Sequence, residues 1–291
     1  LSAVARVPQN RPVRVETLSG GPDNMPENAE IPENLHRIHD TCERMLPGHI
    51  LTGPLAVEGA ATGDALEVRV LQVELASPWG YIFHKPLGGA LPGAFPQPTQ
   101  RFVDIDIASG AVRAPWGLTL PAAPFFGVIG TAPPAEWGRC TSIIPRAFGG
   151  NLDNKELVAG TSLFLPVFVE GANVSVGDGH AVQGDGEVCG TAVETALTGL
   201  LEFAVHKGAA TARPHAMTPT HLITMATGPD LDRCVELALT DMVDRIAAAT
   251  SCSRSEAYMT CSLCADLRVT QAVNQHKGVH CMLPREVLGN K

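Results

Sequence analysis

Residues 166–194, Pro-Val-Phe-Val-Glu-Gly-Ala-Asn-Val-Ser-Val-Gly-Asp-Gly-His-Ala-Val-Gln-Gly-Asp-Gly-Glu-Val-Cys-Gly-Thr-Ala-Val-Glu, read as strand, turn, strand. Side chains of an extended strand alternate between two faces, so Val174, Val176, Asp178 and His180 share one of them. Two apolar anchors therefore lead to a carboxylate and an imidazole pointing the same way. Gly184-Asp-Gly186 signals a turn. A return strand is expected from Glu187, with Asp185 and Glu187 again on one parity. One such unit brings Asp178, His180, Asp185 and Glu187 together. Asp, Glu and His are the ligand types of zinc and similar divalent ions. Glycines at 177, 179, 184 and 186 leave room for a ligand or another backbone to approach. The same Asp-Gly pairs also serve ordinary hairpins, so spacing alone leaves a structural reading beside the catalytic one.

The rest of the chain suits a β protein. Its 291 residues suffice for one large domain or two intimate ones. The 23 prolines, 29 glycines and few charges favour a loop-rich β architecture over a helical one. We expect an α+β, β-rich fold in which antiparallel β units pack as a sandwich or barrel. Two such units, about 1–110 and 111–225, would precede a helical part over about 226–291, all within a single domain. A net charge of −9 argues against nucleic acid or an anionic membrane as partner. The uncharged stretch 114–135 is interrupted by prolines at 115, 121, 124, 133 and 134, which excludes a spanning helix there. Leu1-Ser-Ala-Val-Ala-Arg has neither the basic start nor the apolar core of a secretory signal. There is no initiator Met, so residues upstream of Leu1 are expected. Eight cysteines, spread from 42 to 281, follow no compact framework and read as free thiols of a cytoplasmic protein.

Along the chain, strands are expected at 11–18, 65–73, 101–107, 127–130, 200–207 and 218–225. A loop is expected over 19–34, and a short helix from Ile31 that places His36 and His39 on one face. Val-Glu-Gly-Ala occurs at 57–60 and again at 169–172, a hint of two similar β units packed on each other. His49 and Glu58 in the first unit are candidates to join the site. In the polar loop Gly149-Gly-Asn-Leu-Asp-Asn-Lys155, Asn151 carries an amide donor for a small polar substrate and Lys155 a charge for a carboxylate. His221 is a further candidate for the substrate. Asp230 caps a helix with Val235, Leu239, Met242, Val243 and Ile246 at helical spacing. Ser253 and Glu256 form a capping box for a second helix through about Asp266. Cys261-x-x-Cys264 falls inside that helix and lacks a second ligand pair, so packing explains it better than zinc. A last strand is expected from Lys277. No Gly-x-Gly-x-x-Gly or phosphate-loop pattern occurs.

Six motifs together resemble the acetamidase/formamidase family. They are His49-Ile-Leu-Thr-Gly-Pro-Leu-Ala-Val-Glu-Gly-Ala, Pro124-Phe-Phe-Gly-Val-Ile-Gly-Thr-Ala-Pro-Pro and Gly149-Gly-Asn-Leu-Asp-Asn-Lys-Glu-Leu, then Phe168-Val-Glu-Gly-Ala through Gly190, Pro219-Thr-His-Leu-Ile-Thr-Met and Ala265-Asp-Leu-Arg-Val-Thr-Gln-Ala-Val. They stand in family order and cover nearly the whole chain. The family pattern also includes a His-Trp element that would precede Leu1. The resemblance implies hydrolysis of short linear amides to carboxylic acid and ammonia, a β-rich α+β fold and a homo-oligomer. Amide hydrolysis needs a nucleophile, a polarised carbonyl and a proton for the departing nitrogen. One assignment gives a divalent ion, zinc first and calcium as another option, to Asp178, His180 and Asp185, with His49 or Glu58 added. Glu187 is then the base, and Asn151 or Lys155 orients the amide. A second makes Cys189 the nucleophile with Glu187 and Lys155 as its helpers. A third reads the same residues as a non-catalytic ion or ligand module.

Overall fold

A computed structural model describes residues 1–21, 25–26 and 32–289. The loop expected over 19–34 and the helix start at Ile31 lie partly outside the described residues. The helix itself, α1, spans Glu33–Thr41 and buries Leu35. His36 is exposed there, and His39 Nε2 meets the Gly20 carbonyl at 3.2 Å.

Three sheets carry the fold. The first runs β1 (Ala5–Val7), β3 (Leu51–Val57), β12 (Val174–His180), β9 (Phe125–Gly130), β10 (Gly149–Asn151). The second has eight strands: β16 (Asp266–Gln271), β17 (Lys277–Pro284), β15 (His221–Gly228), β14 (His215–Met217), β11 (Ser162–Pro166), β4 (Ala65–Leu75), β13 (Leu197–His206) and β2 (Pro12–Glu16). The third is β5 (Trp79–His84), β6 (Thr99–Asp106), β7 (Ala111–Arg113), β8 (Thr119–Pro121). Neighbouring strands are antiparallel except β1 and β3, which run parallel.

The first two sheets face each other and their inward side chains form the main core. Leu55, Val57, Phe126, Ile129, Val174 and Val176 of the first meet Leu66, Val68, Leu163, Leu165, Leu197, Leu201 and Phe203 of the second. Each such side chain, fully buried, contributes roughly 1.5–3 kcal/mol of transfer free energy. On the far side of β15 and β17, α2 (Leu231–Thr250) and α3 (Arg254–Cys264) cover the second sheet. Asp230 accepts from the Arg233 N–H, and the Ser253–Glu256 capping box is present. The expected face of α2 is buried at Met242, Val243 and Ile246. Cys261 packs in that core. All eight cysteines are free thiols. No helix among the described residues is long and apolar enough to cross a membrane.

Two differences from the sequence reading matter. The second helix stops at Cys264, and Asp266–Gln271 forms an edge strand instead. The alternating Leu267 and Val269 on that strand remain exposed, so the period-2 signal there lacks a buried face. The return strand expected from Glu187 does not form either: residues 184–190 are a turn-rich loop. The two Val-Glu-Gly-Ala copies do pack on each other. The Val57 N–H donates to the Gly171 carbonyl at 2.8 Å and the Gly171 N–H to the Ala60 carbonyl at 2.9 Å.

The outer face of the second sheet carries a polar network centred on Glu67. It accepts from Arg69, from Ser162 Oγ at 2.8 Å and from His206 Nε2 at 2.9 Å. Burial alone would raise its pKa, but the hydrogen bonds from Arg69, His206 and Ser162 reverse this and hold it at about 2. A folded value below the ordinary 4.5 stabilises the fold above that pH. The contribution is lost as pH falls from about 4.5 towards about 2, and the linkage is on the order of 3 kcal/mol. Denaturant titrations near pH ~6 and pH ~3 should therefore show a larger loss in the parent than in Glu67→Gln. Equal losses would mean that the network adds no pH-dependent stability.

Candidate active site

Four carboxylates and one imidazole converge where β12 and β9 end against the loop after Asn151. His180 is completely buried, and Asp153, Asp178, Glu187 and Glu194 are each at most 7% exposed. His180 Nε2 lies 3.3 Å from Asp178 Oδ2 and 3.3 Å from Glu194 Oε1. Neither ring nitrogen has a partner in hydrogen-bond geometry among the described residues, nor has Asp153 Oδ1. Two trios, Asp178–His180–Glu194 and Asp153–His180–Glu187, each have ligand atoms within 4.8 Å of one another.

The local backbone explains how they meet. Register places Asp178 opposite Gly127 of β9. A Cβ on Gly127 would stand 2.5 Å from Asp178 Oδ2, 2.7 Å from Asp153 Oδ1 and 2.8 Å from His180 Cε1. The missing side chain is therefore the space into which the three groups point. Asp178 adopts φ +57°, so simple alternation fails just where the carboxylate turns in. Asp153 (φ +49°) and Glu187 (φ +42°) are also left-handed. Such conformations cost about 1–3 kcal/mol each and persist where the surroundings enforce them. Glu194 arrives through a short antiparallel bridge to His180, framed by the Thr195 N–H donating to the Gly179 carbonyl at 2.7 Å. The returning segment thus begins several residues after Glu187. Asp153 is tied to β9 by its N–H on the Gly127 carbonyl, 3.2 Å. The Phe125 ring stands edge-on to His180 at 5.0 Å.

Electrostatics follow from crowding like charges in a dry place. Burial, then the Glu187 and Asp178 charges, push Asp153 well above the usual carboxylate range. Burial is also the main cause that raises Glu194 and takes Glu187 to about 7. Burial alone would lower His180, but the Glu194 and Asp178 carboxylates outweigh it and hold the ring well above its ordinary value. Burial would raise Asp178 likewise, and the His49 and His180 charges reverse this to keep it low.

Of the residues singled out in the sequence, Asp178, His180 and Glu187 come together, and His49 stands at their rim. His49 Nε2 is 3.7 Å from Asp178 Oδ1, while its Nδ1 meets Ser142 Oγ at 3.1 Å. Asp185 is committed elsewhere: its carboxylate takes Lys155 Nζ at 3.0 Å, with Arg268 at 3.9 Å. The two-residue spacing to Glu187 has no strand to act through. Lys155 is held by the same pair. Asn151 is buried on β10, donates Nδ2 to the Ile143 carbonyl at 3.1 Å and leaves Oδ1 without a hydrogen-bond partner among the described residues. Glu58 is exposed. His221 Nδ1 pairs with the Thr220 hydroxyl at 2.8 Å. Cys189 sits in the turn after Glu187, with Sγ 3.4 Å from the Thr191 carbonyl. Its expected strand face with Glu187 is absent.

Sequence reasoning missed Asp153, Glu194 and Asn274. Asn274 Nδ2 donates to Asp153 Oδ2 at 2.7 Å and to Glu187 Oε2 at 3.3 Å. Asp153 lay inside a motif that drew notice for its amides and lysine. The other two reach the site through pairings no local pattern specifies.

Comparison with known proteins agrees with this architecture. A family model described as the Acetamidase/Formamidase family matches residues 1–141 and 134–289. The crystal structure of an acetamidase from Bacillus halodurans is 34% identical, with a TM-score of 0.85 over 100% of this chain and 95% of that one. The acetamidase of Mycolicibacterium smegmatis is 30% identical over 206 residues, 50% of this chain and 51% of its own. The formamidase of Methylophilus methylotrophus is 28% identical over 234 residues, 60% and 57% respectively. The chain spans about half the length of the curated relatives it matches. With nearly every residue inside the matched ranges, the chain belongs to the acetamidase/formamidase family.

Proposed function

We propose that the chain is an amidohydrolase that cleaves short linear amides, such as formamide or acetamide, to carboxylate and ammonia with the help of a divalent ion, zinc foremost. One observation carries the reading. A fully buried imidazole has Nε2 at 3.3 Å from each of two carboxylates, and neither ring nitrogen makes a hydrogen bond among the described residues. Buried polar atoms are normally satisfied, and a mixed N/O donor set of this kind suits zinc. Asp178, His180 and Glu194 would hold the ion. When bound, it supplies Lewis-acid polarisation of the carbonyl and a more acidic water.

The chain's own residues account for the remaining needs. Glu187 takes the water proton on a carboxylate oxygen and passes it to the departing nitrogen. Asp153 and Asn274 fix the orientation of that carboxylate. The Phe125 ring beside His180 keeps bulk water away, which strengthens every charge interaction inside. His49 at the rim faces arriving substrate, and Asn151, whose buried Oδ1 has no hydrogen-bond partner among the described residues, would accept from an amide N–H that reaches it. The likeness to acetamidases and formamidases favours small acyl groups. We further propose that the chain works as one domain, assembles as a homo-oligomer and resides in the cytoplasm, where eight free thiols persist.

Ammonia release from formamide, acetamide, propionamide and urea, before and after chelation, tests this. A short amide should be hydrolysed, chelation should abolish turnover and zinc should restore it. Turnover untouched by exhaustive chelation, with no metal found in the protein, would remove the ion from the mechanism. No release from any amide would remove the amidase reading itself.

A further inference from the structure

We infer that Asn274 is a positioning residue whose single amide nitrogen braces Asp153 and Glu187 in their working orientation; the inference rests on the amidohydrolase reading. An amide NH2 offers two protons from one atom. Here one reaches Asp153 Oδ2 at 2.7 Å and the other Glu187 Oε2 at 3.3 Å. Two buried carboxylates side by side repel each other, and a shared neutral donor between them offsets that repulsion without adding a charge. The brace also decides which oxygens stay free. With Oδ2 held, Asp153 Oδ1 has no partner among the described residues, and it is the Asp153 oxygen that faces the space above Gly127, 2.7 Å from where a Cβ would stand.

The backbone around Asn274 is built to deliver that amide. Asn274 and Gln275 both adopt left-handed φ, +61° and +64°. Gln271, fully buried, spans the turn: its Nε2 donates to the His276 carbonyl at 2.6 Å and its Oε1 accepts from the Val273 N–H at 2.9 Å. The same strand end is stitched to the loop bearing Glu187. The Gly186 N–H donates to the Thr270 carbonyl at 3.1 Å, and the Ala272 N–H to the Gly186 carbonyl at 2.8 Å. Donor and acceptor thus ride on two segments locked by main-chain bonds, and the Asn274 side chain also reaches Asp153, 121 residues away in sequence.

Asn274→Gly separates the amide from the turn, because glycine accepts the left-handed φ. Asn274→Asp keeps the size but replaces the donor by a third carboxylate. Two readouts are needed: kcat and KM for acetamide, and crystal structures of the parent and Asn274→Gly. The expected result is a kcat lowered about 10–100-fold with KM within about twofold, an unchanged turn, and Asp153 and Glu187 carboxylates rotated from their parent positions. Asn274→Asp should lower kcat at least as far. Carboxylates that stay in place in Asn274→Gly, or a kcat equal to the parent's, would overturn the brace while leaving the amidase reading intact. If the parent hydrolyses no amide, that reading falls, and the crystallographic comparison still decides the brace. If Asn274→Gly does not fold, Asn274→Asp serves for both readouts, with the same outcomes deciding.

Discussion

Glu187→Gln should lower kcat for a short amide by about 10²–10⁴-fold, the usual contribution of a positioned general base. Glutamine keeps the shape and an oxygen that can still accept from Asn274, so the loop need not move. What it lacks is a site for the proton. It also removes one of four carboxylates crowded around His180, a place where burial first, and then the Glu194 and Asp178 charges, raise Glu187 to about 7. Thermal stability should therefore hold or rise while activity falls. Steady-state ammonia release and a melting curve on the same preparation check both halves. A variant that keeps turnover within about tenfold would take the proton transfer away from this residue.

Gly127→Ala should have an effect of similar size for a different reason. Its backbone needs no glycine, since φ lies outside the left-handed region, so the strand can accept alanine. The added methyl would nonetheless stand within 2.8 Å of Asp178, Asp153 and His180 together. Real Cβ contacts are not that short, so the three side chains must move. A displacement near 1 Å costs about 10²-fold in rate, and kcat/KM should fall by that much with the fold retained. Zinc binding measured by competition with a chelator should weaken in parallel. Normal turnover in a folded Gly127→Ala would show that the space above Gly127 is not where the reaction occurs.

Much of the scaffold was legible in the sequence because its signals are local. Asp230, Ser253 and Glu256 mark helix starts by chemistry that acts within four residues, and both helices begin there. Strands β4, β13, β15 and β17 alternate or run apolar and fell close to their expected ranges. The site was half legible. Asp178, His180 and Glu187 stand out as ionisable groups in a glycine-rich run, and a Gly-Asp-Gly turn rightly implied that the chain doubles back. The offset of the returning segment was not visible. It depends on how far the loop over 184–190 extends before pairing resumes, and that placed Glu194, not Asp185, opposite His180. Asp185 went to Lys155, which stands partly exposed on the loop after Asn151 and reaches it at 3.0 Å. Asn274 could not be foreseen at all, since its partners lie 87 and 121 residues away.

The hairpin that carries Asn274 joins the last two strands of the chain, β16 and β17. Synthesis proceeds from the N-terminus, and domains generally fold as units. By the time Glu194 leaves the ribosome, all four carboxylates and the imidazole have been made, yet the amide that spans two of them has not. The nascent chain therefore contains every acid of the centre before it contains the amide that bridges two of them. The centre is complete only once the hairpin between β16 and β17 has been made, so a chain terminated before that hairpin would have the acids of the site without the residue that holds two of them.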